Sequence, residues 1–332
     1  MMNIPCFYFP TTVMLVDDNR SILDNLSLSL DPKLAFKLYD QPENALLALQ
    51  SQLAAPAFNR EFIQKNSADS DDEDNISIKI NFESIRKLIH NSQRFSHVTA
   101  LIIDYSMPKL TGLEFCQRLH GSPLTKIMLT GEAGPTVAID AFNDGVIDQF
   151  IVKATPNMQS HLNDSIQAAQ WDFFVKQSEH VMAVLKTQSE CALFEPAYQK
   201  LIKTLFLESQ PCEFYLLDQT GSFLFIDEFG DCKWIVVRNE RELNDYYEIA
   251  KDYSKAYSMP DNLLNDLKEY NKIPFLFSEK QRTLQVSEWV EYLYPADLIE
   301  GRSNYYYAII EGRKDYLSNL PLQSYTNYLV MT

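Results

Sequence analysis

Four short apolar runs in the first half of the chain each stop at a residue able to do chemistry. VMLVDD ends in Asp17 and Asp18, ALIID in Asp104, KIMLT in Thr130 and FIVK in Lys153. If these runs are parallel strands of one sheet, their carboxyl ends share one edge, where open α/β sheets bind ligands. Three carboxylates, a hydroxyl and an ammonium then meet in one pocket. Carboxylates gathered so closely raise one another's pKa unless a cation neutralises them, and an all-oxygen donor set suits Mg²⁺. Lysine adds a point charge for a phosphoryl group, and threonine adds a hydrogen-bond donor. Each residue alone has a plainer explanation: Asp18 as a helix cap, Thr130 as strand chemistry, Lys153 as a solvated loop cation. The information lies in the set.

The elements that must position this set alternate between strand-like runs and helix-period segments, the signature of βαβ units. Strand cores are expected at Val13 to Val16, Leu34 to Tyr39, Ala100 to Ile103, Lys126 to Leu129 and Phe150 to Val152. Helices fall near 20–30, 41–53, 111–120, 135–144 and from about 157 onward. The fold class predicted is a doubly wound, five-stranded parallel α/β domain. One connection departs from it. A helix ending near Leu53 should reach its next strand within roughly 2 to 6 residues, yet that strand begins at Ala100, so about 40 residues are inserted. The insertion, about 55–98, holds the acidic run Asp69 to Asp74, the alternating ISIKI and a helix from Phe82 to Asn91. The acidic run lacks the glycine turn of a calcium loop and reads as a solvated loop.

The ordered set of Asp17-Asp18, D-x-x-M-P-x-x-x-G at Asp104, Met107, Pro108 and Gly112, Thr130 before the small Gly131, and Lys153 identifies a resemblance. Residues 11–158 resemble the flavodoxin-like, CheY-like receiver domain of bacterial two-component response regulators. The resemblance implies a phosphorelay protein in which Asp104 accepts a phosphoryl group from a sensor histidine kinase or phosphotransfer protein. It implies Mg²⁺ held by Asp17, Asp18, Asp104 and the backbone carbonyl of Ser106, with Lys153 pairing to the phosphoryl oxygens. Thr130 is then expected to swing towards the acyl phosphate, and Phe150, three residues before the lysine, to follow as the switch aromatic. Differential contacts in two states would drive that shift. Ala154 follows Lys153 where the family usually carries proline, and the interval from Gly145 to Lys153 is one residue longer than the usual pattern.

From about Asn157 to Gln188 there is neither proline nor glycine, and Leu162, Ile166, Ala169 and Phe173 form a helical stripe. This connecting helix, placed at 159–193, reads either as packing on its own chain or as a coiled-coil seam between two chains. Residues 194–332 then form an α+β output domain with an antiparallel sheet. Its start holds a helix from Pro196 to Glu208, two strands in EFYLLDQTGSFLFID joined by a glycine turn, and a third strand from Lys233 to Arg238. Helices are expected at about 240–254 and 260–271, and later strands at Pro274 to Phe277, Val290 to Tyr294 and Tyr305 to Ile310. The order resembles a PAS-type sensor or interaction fold, with another α+β fold as the alternative. Cys212, Cys232, Trp234 and Tyr305 to Tyr307 read as core and cross-strand pairs rather than a ligand cavity. Asp227, Glu228 and Asp231 read as a polar hairpin turn, with a metal site as the alternative.

Composition narrows the function. The 332 residues suit about two domains, and 46% hydrophobic residues describe a globular chain. Five cysteines form no CxxC pair. A net charge of −16, shared by both halves, opposes nucleic-acid binding, which needs surplus cations. Residues 195–332 contain no histidine, and no P-loop, GxSxG, GGDEF, EAL or HD-GYP signature is present. The apolar start, MMNIPCFYFPT, lacks the basic flank and cleavage site of a secretory signal, so a cytoplasmic location with no membrane insertion is expected. The expected function is a non-enzymatic phosphoacceptor that signals through a homodimer or a protein partner of the output domain. The alternative is a receiver controlling an enzymatic or nucleotide-binding output.

Overall fold

The computed structural model describes residues 4–54, 62–67, 76–131, 135–187, 190–260, 262–317 and 322–331. The acidic run Asp69 to Asp74 lies outside them. Internal contacts divide the chain into two units. The first comprises Met1–Arg60, Asn91–Glu179 and Asn327–Thr332, and the second Glu61–His90 and His180–Thr326. Among the described residues, no helix is long and apolar enough to cross a membrane.

In the first unit, the short strand β1 (Phe7–Tyr8) precedes β2 (Thr12–Val16), α1 (Arg20–Ser27), β3 (Phe36–Tyr39) and α2 (Pro42–Ala54). After the insertion come β6 (Val98–Asp104), α4 (Gly112–Arg118), β7 (Thr125–Thr130), α5 (Pro135–Asn143), β8 (Gln149–Val152) and α6 (Met158–Thr187). Strands β3-β2-β6-β7-β8 form one sheet in that order, and every pairing is parallel. β2, β6 and β7 are buried along their whole lengths, which is why they read as unbroken apolar runs. Alternate residues serve opposite faces. Met14, Val16, Leu101 and Ile103 pack with Leu46 and Leu49 of α2 and Phe115 of α4. Val13, Leu15, Ala100 and Ile102 pack with Leu23 of α1 and with Leu162, Ile166 and Ala169 of α6. The sheet is doubly wound as expected, and the stripe that begins α6 is consumed by this core. Phe7 and Tyr8 set their rings against Phe174 of the same helix. Further along, Val181 and Leu185 are fully buried within the single chain, so those positions are not open to a seam between two chains.

The second unit begins with the insertion: β4 (Ile63–Ser67) and β5 (Ile76–Ile80) pair as an antiparallel hairpin, and α3 (Phe82–Ile89) follows. Asn81 caps α3 by accepting the Ser84 N–H, and Ile85, Leu88 and Ile89 form its buried face. α3 packs on β9 (Glu213–Leu216), so the inserted helix belongs to the second unit's core. The rest of that unit runs through α7 (Pro196–Ser209), β9, β10 (Phe223–Ile226), β11 (Cys232–Asn239), α8 (Glu240–Ser254), α9 (Leu263–Lys268) and β12 (Lys272–Pro274). It ends with α10 (Glu279–Arg282), β13 (Leu293–Pro295), β14 (Asp297–Ile299), β15 (Tyr305–Glu311) and α11 (Tyr325–Met331). β9, β10, β11, β15 and β14 are neighbours in that order, each pair antiparallel. Gly221, at φ +111°, makes the β9–β10 turn in a backbone region that favours glycine.

Two expected strands are corrected. Only Lys272–Pro274 is a strand in the Pro274 to Phe277 region, because the Phe277 and Ser278 N–H groups donate to Gln281 Oε1 in a box that starts α10. Val290 to Tyr294 is mostly a 3₁₀ turn spanning Val286–Tyr292, started by a Gln285–Glu288 box, with only Leu293–Pro295 extended. Trp234 and Tyr305 are buried side chains of the core, and Trp234 packs against Phe275, Phe277 and Tyr316.

Candidate functional site

The parallel sheet brings the strand-end residues together. Asp17 follows β2 and is 2% exposed, Asp104 closes β6 at 7%, Thr130 closes β7 fully buried, and Lys153 follows β8. Asp17, Asp18 and Asp104 each offer an oxygen within 4.8 Å of the others, and Asp18 is the exposed member. Lys153 Nζ stands 2.9 Å from Asp17 Oδ2 and 2.7 Å from Asp104 Oδ1. Burial pulls its ammonium down, but the hydrogen bonds and charges of Asp104 and Asp17 outweigh that, and its pKa rises. One lysine faces three carboxylates, so a negative surplus remains. A hard divalent cation with oxygen ligands fits that donor set.

The other carboxylate oxygens are fixed by the backbone. The Asn19 N–H donates to Asp17 Oδ1 at 2.9 Å, and the Ser106 N–H donates to Asp104 Oδ2 at 2.8 Å. Both are turns in which an aspartate binds the amide two residues on. Asn19, not Asp18, caps α1, accepting the Ser21 N–H at 3.0 Å, so Asp18 has no capping duty. The loop after β6 returns tightly. The Gly112 N–H donates to the Tyr105 carbonyl at 3.1 Å, and a Cβ on Gly112 would stand 2.2 Å from the Asp104 carbonyl oxygen. Glycine is therefore required for α4 to start beside Asp104. Thr111 and Glu114 then close a capping box, and Thr111's hydrogen bonds hold the Glu114 carboxyl below its ordinary range.

Thr130 directs its hydroxyl to the Gly131 carbonyl at 3.1 Å, and the Lys153 N–H binds the Thr130 carbonyl at 2.8 Å. Phe150 is half-buried against the cluster containing Met128 and Ala141. The sequence reading found the side chains of this site but missed the Asn19 and Ser106 amides and the steric reason for Gly112. The aspartate-turn spacing of Asp17 to Asn19 and Asp104 to Ser106 carried the first signal. In the second unit, Asp227 Oδ1 accepts the Phe229 and Asp231 N–H groups at 2.9 and 2.8 Å, the geometry of a hairpin turn. Among the described residues, only Asp17, Asp18 and Asp104 form a group of three ligand-type side chains close enough for one metal.

Over nearly its whole length, the chain is similar to the solved structure of the response regulator LqsR from Legionella pneumophila. The identity is 32%, covering 99% of this chain and 96% of that one, with a TM-score of 0.70. An uncharacterized protein from Neptuniibacter caesariensis aligns at 20% identity over 51% of this chain and 94% of its own, with a TM-score of 0.36. A response regulator receiver domain protein from Clostridium thermocellum aligns at 17% over 48% and 94%, with a TM-score of 0.30. No protein-family model and no curated protein matches the chain.

Proposed function

This chain belongs to the response-regulator family, and on that premise we propose that it is a phosphoacceptor whose Asp104 takes a phosphoryl group from a histidine kinase or phosphotransfer protein. The observation that carries the reading is Lys153 held 2.9 and 2.7 Å from Asp17 and Asp104 beside the third carboxylate, Asp18. A carboxylate oxygen of Asp104 forms the new P–O bond. The P–N bond of the donor phosphohistidine breaks, its electron pair stays on the ring nitrogen, and that nitrogen takes a proton.

Asp17, Asp18, Asp104 and the Ser106 carbonyl are the residues that would hold Mg²⁺, which when bound offsets charge on the phosphoryl oxygens. Lys153 releases Asp104 Oδ1 and turns to those oxygens. The Asn19 and Ser106 amides keep both carboxylates oriented through the exchange. Thr130 must leave the Gly131 carbonyl to donate to the acyl phosphate, and Phe150 moves deeper into the space that Thr130 leaves. The second unit carries the output through a protein interaction rather than nucleic acid, in keeping with the net charge of −16.

Intact mass and light scattering on wild type and Asp104→Asn, each given acetyl phosphate and Mg²⁺, test the proposal. Wild type is expected to gain one phosphoryl group and to change its mass in solution, and Asp104→Asn to do neither. Equal phosphorylation of both proteins would move the acceptor elsewhere. No phosphorylation of wild type by this donor or by a phosphorylated kinase would sink the proposal.

A further inference from the structure

The second unit contains a cleft of about 530 Å³, within the size range of small-molecule sites, that the phosphoacceptor chemistry does not use. The insertion and the body of the unit build it together: Arg86 comes from α3, Arg238 from β11, Ile249 from α8, and Phe277 and Arg282 from the segment entering and forming α10.

Charges on its floor are spent on one another. Arg238 Nη1 donates to Asp218 Oδ2 at 2.8 Å, to Ser222 Oγ at 3.2 Å and to the Val237 carbonyl at 2.7 Å. Glu242 accepts the Thr220 hydroxyl at 2.9 Å and the Asn239 N–H at 3.0 Å. The rim differs. Arg86 Nε is buried and has no hydrogen-bond partner among the described residues; the nearest carboxylate, Glu83, stands 3.5 Å away and is 59% exposed. The Arg86 guanidinium carbon lies 5.3 Å from the centre of the Phe277 ring. Among the described residues, the hydrogen bond of the Arg282 guanidinium is to the Leu276 carbonyl, at 3.4 Å. Burial first, and then the charge of Arg282, depress the Arg86 pKa despite Glu83 and Asp218, and both guanidiniums line the same cleft. Beside them Ile249 is an apolar side chain 52% exposed.

The lining as a whole sets Arg86, Arg238 and Arg282 against Asp218, Glu242 and Asp245 and carries no net charge, while Arg86 Nε and the Arg282 guanidinium hydrogen-bond no carboxylate among the described residues. That favours a monoanionic head over a dianionic phosphate ester, and a planar carboxylate matches the guanidinium fork. We propose that this cleft binds a small organic acid, its carboxylate between Arg86 and Arg282 and its apolar body against Phe277 and Ile249. The site is independent of the Asp104 chemistry and gives the insertion a role, since α3 supplies one of the two cations.

Titration calorimetry on the full chain in EDTA, which keeps divalent ions off the carboxylate cluster, tests this with phenylacetate, acetate, benzyl alcohol and phenyl phosphate. Phenylacetate is expected to bind one to one, at least tenfold tighter than acetate or benzyl alcohol and tighter than phenyl phosphate. Arg86→Gln and the exposed Arg282→Gln should each weaken it at least tenfold with the melting midpoint unchanged. Phenylacetate no tighter than acetate, or unaltered binding by correctly melting Arg282→Gln, would overturn the site. Tighter binding of phenyl phosphate would overturn the carboxylate assignment.

Discussion

Each unit sets one cation among carboxylates, and the two arrangements differ in how far the charges around that cation cancel. Lys153 bridges Asp17 and Asp104 next to a third, exposed carboxylate, so the strand-end pocket remains short of positive charge. Arg238 is paired with Asp218 and also faces Glu242, and the guanidiniums of Arg86 and Arg282 with the Asp245 carboxylate bring the cleft's lining to zero net charge. A parallel sheet assembles the first set by aligning strand ends. The second is assembled by an inserted helix, an antiparallel strand and a short helix, and its floor is satisfied before any ligand arrives. The deficit in one unit calls for a cation. The guanidiniums of Arg86 and Arg282, in a lining that is neutral overall, leave room in the other for one carboxylate.

Removing each cation sharpens the contrast. Arg238→Met leaves the half-buried Asp218 carboxylate beside Glu242 with no counter-charge, and about 3 kcal/mol of stability should be lost, at the low end for a buried pair because solvent reaches Asp218. Hydrogen exchange in β10 and β11 reads this loss, and Mg²⁺ should not restore it. A pH series separates the units next. Burial pushes the His97 imidazole of the first unit down to about 4 from 6.5. The unfolded chain therefore takes that proton first, and the stabilisation present above pH 6.5 disappears as pH falls towards 4. His97→Gln should remove up to about 3 kcal/mol from this acid limb, visible in melting curves stepped through pH. Glu242, raised chiefly by burial and also by Asp218 despite Arg238, carries the opposite sign: its ionisation above its ordinary pKa costs stability as pH rises.

Lys153→Met should cost less than Arg238→Met, about 2 kcal/mol, because the lysine is 26% exposed and solvent screens part of the loss. Mg²⁺ should raise the melting midpoint of this variant more than that of wild type. Equal Mg²⁺ shifts in the Lys153→Met and Arg238→Met proteins would erase the distinction between the two regions. The smallest effect tests where the units agree. Thr111 and Asn239 close capping boxes on α4 and α8, and alanine at either should cost about 1 kcal/mol by urea unfolding.

The same contrast governs what could be read before the fold was known. Asp17, Asp104, Thr130 and Lys153 were legible because a buried parallel strand is an apolar run, and a polar residue ending each run marks the ligand edge. α3 was legible as a helix from its period, but nothing in a period names the partner that its apolar face will cover, so its place on β9 was not. Arg86, Arg238 and Arg282 are scattered in sequence and sit on three kinds of element; only tertiary packing makes them neighbours. The boxes at Ser278 and Gln285 were readable as helix starts, yet the aromatic and β-branched residues around them mimic strands. Local hydrogen bonding overrode that preference.

The first unit is also discontinuous. Tyr328, in its last stretch, brings its hydroxyl 3.2 Å from Thr12 Oγ1 and its ring 5.4 Å from Phe95. A ribosome releases the chain from its amino end at about 5 to 20 residues per second, so the parallel sheet emerges early and waits for the stretch that holds Tyr328. The second unit's strands leave the tunnel during that interval. Full packing of the first unit therefore follows synthesis of the second unit's strands, and a nascent chain stalled between them presents an unfinished parallel-sheet unit.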